Sequence, residues 1–141
     1  MKKVLVISML LFCFLSSGAQ HRRKFDHQRF KAEMKQYIIQ EVELTPKEQA
    51  AFFPLFEEMH NRQRVCFDKM REYKKKEPQD EKSCMEIIRK IDDLELEQKK
   101  IQKEYHSRFL KVISAKKLFS VLKAERRFHR QIFKQIARKK R

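Results

Sequence analysis

Glycine is almost missing from this chain. Gly18 is the only one in 141 residues, tryptophan does not occur, and there are three prolines. So little glycine argues against a sheet of tight hairpins, whose turns want glycine or asparagine at positive φ. It also excludes a glycine-rich phosphate loop and the strained turn that presents a nucleophilic serine. Cysteine is scarce as well: Cys13, Cys66 and Cys84 are too few for a disulfide scaffold. Long apolar runs are limited to Val4–Leu15, broken only by Ser8, which is well short of the roughly 20 residues that span a bilayer.

What is present is helix-forming. Lys, Glu, Gln, Leu, Ile, Met and Phe dominate, and the pattern predicts an all-α protein. Lys2 and Lys3, the apolar run, and then Ser16, Ser17, Gly18 and Ala19 follow the order of a secretory signal peptide. Cleavage after Ala19 leaves Gln20 first. The chain is therefore expected to be exported to the periplasm, with 1–19 as signal, 20–25 as a disordered basic arm and 26–141 as one helical domain.

Charge is lopsided. The net charge is +16, and +14 without Lys2 and Lys3. From Lys116 to Arg141 eleven bases face one acid, Glu125. In a cytoplasmic chain this would read as a nucleic-acid binder. Export removes nucleic acid as a partner and leaves anionic lipid or polysaccharide, or acidic, partly unfolded proteins.

Four helices are expected, at about 26–42, 46–75, 81–112 and 115–138. In the first, Phe30, Met34, Tyr37, Ile38 and Val42 share a face. Thr45-Pro46-Lys47-Glu48 reads as a capping box with proline at the first helical position, opening the second. The second helix carries a stripe of Phe52, Phe56, Met59, Gln63, Cys66, Met70 and Tyr73, with a kink expected near Pro54. Pro78 marks the next turn, and either Asp80 or Ser83 (with Glu86) caps the third helix. That helix repeats the stripe with Ile87, Ile91, Leu94, Gln98, Ile101, Tyr105, Phe109 and Val112. Helices two and three thus form a long antiparallel hairpin that dominates the fold. Gln63 and Gln98 interrupt both stripes; they either pair or face a groove. Ser114 caps the last helix, whose apolar side is Leu118, Val121, Leu122, Phe128, Ile132 and Ile136.

Catalytic and metal signals are weak. Glu57-Glu58 and Asp92-Asp93 are adjacent on helices and point apart. No enzyme activity is expected. No disulfide is expected either, since Cys66 and Cys84 fall at different levels of the hairpin. No cofactor is expected; His60 and Cys84 are the candidate ligands if a metal ion is bound.

The segment Leu44-Thr45-Pro46-Lys47-Glu48-Gln49, opening a long helix behind a signal peptide, resembles the Leu-Thr-x-x-Gln motif of the Spy/CpxP family, small periplasmic helical proteins of envelope stress. Its glutamine stands one place later here, at Gln49. Some relatives of that kind are labelled periplasmic heavy-metal sensors. The resemblance implies an extended or cradle-like homodimer with a positive, partly apolar face. It implies an ATP-independent holdase or adaptor that binds unfolded chains or an envelope sensor. Its candidate contact residues are Phe25, Phe30 and Phe53 with Arg126, Arg127, Arg130 and Lys134. The alternatives are a periplasmic metal sensor, or a peripheral binder of anionic lipid or polysaccharide through the last helix.

Overall fold

The computed structural model describes residues 26–139. The expected signal peptide, the basic arm and Phe25 lie outside them. By their contacts the residues group into two units, Met1–Phe30 and Lys31–Arg141. The described part of the first is Asp26, whose carboxylate accepts from the amides of Gln28 and Arg29, and the opening turn of a helix. Apart from the first turn of that helix, with Phe30, all else below concerns the second unit.

The described chain is all-α. Four helices follow in order: α1 (His27–Glu41), α2 (Pro46–Lys74), α3 (Glu81–Phe109) and α4 (Ala115–Lys139). The turns are built from side-chain caps. No described residue has positive φ, so carbonyls and amides at helix ends are satisfied without glycine. At α2, Thr45 Oγ1 accepts from the Glu48 amide at 3.2 Å and Glu48 Oε2 accepts from the Thr45 amide at 2.8 Å. Asp80, not Ser83, caps α3: its Oδ1 accepts from the Ser83 amide at 2.9 Å, which leaves Ser83 inside the first turn. Ser114 Oγ accepts from the Lys117 amide and caps α4.

Helix α3 stops at Phe109, three residues before the expected end. The amides of Lys111, Val112 and Ile113 turn back onto the carbonyls of Arg108 and Phe109, closing a tight connection before Ser114. Helix α2 runs through Pro54 unbroken. Pro54 and Ala50 both lie on the exposed side, so the carbonyl that proline cannot serve is open to solvent.

Helices α2 and α3 pack on each other as the hairpin. Phe52, Phe56, Met59, Cys66 and Met70 are buried on α2, and Ile101, Tyr105 and Phe109 on α3. Toward the turn, Ile87, Ile91 and Leu94 are only half-buried. At the other end α1, Val42 just after it, and α4 add Met34, Ile38, Val42, Leu118, Val121, Ala124 and Phe128 to the core. There Phe52 meets Phe109 at 4.8 Å and Phe56 at 5.3 Å between ring centroids, in tilted arrangements that suit aromatic quadrupoles. The two glutamines do not pair side chain to side chain. Gln98 Nε2 instead donates to the Gln63 carbonyl at 3.3 Å, which still ties the two helices at that level.

Candidate functional site

Helix α4 has two unlike sides. Leu118, Val121, Ala124 and Phe128 are buried against the rest of the unit. At 100° per residue, Phe119, Lys123, Arg126, Arg130, Phe133 and Lys134 fall on the opposite side, within about 100° of arc. Phe119 is 59% exposed and Phe133 68%. Lys123 Nζ lies over the Phe119 ring, 5.6 Å from its centroid. Among the described residues Lys123, Arg126, Arg130 and Lys134 form no ion pair, and the one acid of the helix, Glu125, is turned to the inner side. The outer side thus carries three unneutralised cations between two exposed aromatic rings, with Lys134 just past the second.

The expected contact residues divide. Arg126, Arg130 and Lys134 belong to this row. Arg127 is exposed but ion-paired, its Nη1 3.1 Å from Glu41 Oε2 of α1. Phe30 is half-buried in the first turn of α1. Phe53 is corrected: it is 3% exposed, packed edge-on to Phe52 and Phe56, with Lys35 of α1 over its outer face. The resemblance implied a client-contacting ring there, but α1 covers that side. Phe119 and Phe133 were not singled out from sequence. Their signal was available, since they lie 14 residues apart, about four helical turns, and opposite the apolar row.

The Leu44–Gln49 segment is structural in its contacts. Leu44 is buried. Gln49 Nε2 donates to the Leu44 carbonyl at 2.9 Å. Glu48, besides closing the capping box, holds Lys117 Nζ at 2.6 Å. The Lys117 hydrogen bond, then the Thr45 amide, keep the Glu48 carboxyl below the usual carboxylate range.

The histidines cluster more than the sequence suggested. His60 of α2 stacks edge-on to Phe56, ring centroids 4.4 Å apart. Its Nε2 is 3.3 Å from Glu125 Oε1, within ion-pair distance but out of line for a hydrogen bond. His129 Nε2 is 3.9 Å from the same oxygen. His106 of α3 has a buried Nε2 without a hydrogen-bond partner, and burial pushes its pKa below the ordinary histidine value while Glu125 opposes that shift. Cys84, the other candidate ligand, is half-buried at the hairpin turn with its Sγ 3.9 Å from the Pro78 carbonyl. Cys66 is buried in the hairpin. Among the described residues no group of three or more His, Cys, Asp or Glu side chains has the arrangement to hold a metal ion.

Among the described residues no helix is long and apolar enough to cross a membrane. No known protein family, curated protein or solved structure matches the chain.

Proposed function

We propose that this chain is an exported, ATP-independent holdase or adaptor that captures acidic, partly unfolded proteins on the outer side of α4. The observation that carries this reading is the row Phe119, Lys123, Arg126, Arg130 and Phe133, aromatic at both ends and cationic between. Large exposed apolar side chains need a reason when they recur on one face. Cations draw an acidic chain in from a distance and the rings then hold its apolar side chains. Such binding needs no nucleotide. Export rests on the first nineteen residues, and the likeness to the Spy/CpxP family on Leu44–Gln49 and the order of helices.

Aggregation of a reduced or heated acidic client, followed by light scattering, tests the reading. The mature protein at equimolar ratio is expected to slow aggregation at low salt. The variant F119S/F133S/R126E/R130E, whose changes are all on exposed positions, is expected to lose this effect while keeping its helical circular dichroism. Equal protection by both proteins would sink the proposal.

The same row also suits an anionic lipid surface, since bases flanked by aromatics lie well at a headgroup boundary. Co-sedimentation with vesicles containing anionic lipid separates the two: on this second reading wild type pellets and the fourfold variant does not.

A further inference from the structure

Glu125 is the only acid of α4, and it points into the joint where α4 meets the hairpin. Its side chain is 18% exposed. One imidazole from each of three helices gathers on it: His60 from α2 at 3.3 Å, His129 from α4 at 3.9 Å, and His106 from α3, whose unpartnered Nε2 is buried within its field. The surroundings are apolar, with Phe56 against His60, Phe109 against His106 and Phe128 against His129. Lys31 and Lys35 of α1 and Glu57 of α2 line the small cleft beside His60, while Lys123, Arg126, Arg127 and Arg130 border His129, whose side chain is 41% exposed.

We propose that Glu125 with His60, His106 and His129 is an acid-released latch that sets how firmly α4 is held on the hairpin. Histidine as a residue gains a positive charge on going from slightly alkaline to acid solution, and here three imidazoles face a single carboxylate. On acidification the first proton is matched by Glu125. Further protons add cations in a partly buried, apolar joint already flanked by Lys31 and Lys35. Charge that cannot be neutralised there is relieved by opening the joint to water. The depressed His106 value gives the same sign. A histidine whose folded pKa lies below its unfolded value stabilises the closed joint above about pH 6.5, and this contribution is lost as pH falls through the lower folded value.

Opening would bring the inner row Leu118, Val121 and Phe128 into solvent beside Phe119 and Phe133. Acid would then widen the client surface, a consequence that rests on the holdase reading; the latch itself does not.

Hydrogen exchange of the full mature chain tests the latch, comparing α4 amides of residues 118–130 with those of 101–109 at pH 7.5 and pH 5.0 after correction for intrinsic rates. In wild type the α4 amides are expected to lose about tenfold or more of their protection on acidification while α3 loses less. In H60Q/H106Q/H129Q the pH dependence is expected to disappear. Unchanged α4 protection in wild type, or the same acid loss in the histidine-free variant, overturns the proposal. Should that variant not fold, proton NMR titration of wild type serves instead. Mutually coupled titration of the three imidazoles, with His106 below the ordinary histidine value, supports the latch, and three independent, ordinary curves refute it. Aggregation assays that fail while exchange shows acid release would refute the client reading alone.

Discussion

Lys117 Nζ sits 2.6 Å from Glu48 Oε2, so one carboxylate both closes the first turn of α2 and grips the first turn of α4. The two residues are 69 positions apart. Loss of either should therefore be felt at two helix starts. E48Q and K117M are each expected to lower the melting temperature by circular dichroism. The double variant should fall by clearly less than the sum, because the second change removes an interaction already gone. Additive losses would show that the pair is not coupled.

The same carboxylate sets a pH dependence. Its folded pKa is lowered from 4.5 by the Lys117 and Thr45 hydrogen bonds. A lowered acid stabilises the folded state above its unfolded value and loses that contribution as pH falls through the folded one. E48Q should accordingly be less stable than wild type at pH 7, and the gap should narrow as pH falls below the ordinary carboxylate value. A gap that persists unchanged at acid pH would assign it to packing.

Thr45→Ala removes the cap itself and is expected to cost about 1 kcal/mol in denaturant unfolding. Ser83→Ala should cost much less, since Asp80 and not Ser83 caps α3. The reverse ranking would place the α3 cap at the serine.

Aromatic substitutions should separate core from surface. Phe109, 1% exposed, and Phe53, 3% exposed, are each expected to cost about 3–5 kcal/mol as alanine. Phe119→Ser and Phe133→Ser should stay within about 0.5 kcal/mol. Urea midpoints measure both sets. A mild Phe53→Ala would return that ring to the surface.

Thiol labelling checks the hairpin register. Cys84, half-buried at the turn, is expected to react with a maleimide about tenfold faster than Cys66, which is 6% exposed between α2 and α3. Comparable rates under native conditions would mean that the middle of the hairpin opens readily.

Much of the architecture was legible because local chemistry marks it. Thr45, Pro46 and Glu48 fix the start of α2 with side-chain hydrogen bonds that the spacing alone announces. The stripes on α2 and α3 repeat at the coiled-coil interval, so the hairpin and its buried Phe52, Met59 and Tyr105 follow from them. What escaped depended on a third body. The burial of Phe53 is one case: the cover that α1 provides has no trace in the periodicity of α2. Ala124, fully buried on α4, is too small to register in an apolar pattern. The grouping of His60, His106 and Glu125 joins three helices, and no spacing along one chain reports it. The bases of α4 were plain in the sequence. That they share a side with two exposed rings, while Glu125 turns inward, required knowing which side of α4 is buried.

The outer stretch of the hairpin, from Gln63 and Gln98 out to Pro78, has a geometric implication. Its stripe is periodic, and the aromatic cluster around Phe52 and Phe109 lies beyond it. Removing seven residues from each arm would keep every remaining stripe position in phase and draw the turn in by about 10 Å. A five-residue cut would rotate the stripe out of register. The outer hairpin is in this sense a ruler graduated in heptads. The reach from the basic helix to the turn can be reset by whole notches, with the pocket of rings at its foot left as it is.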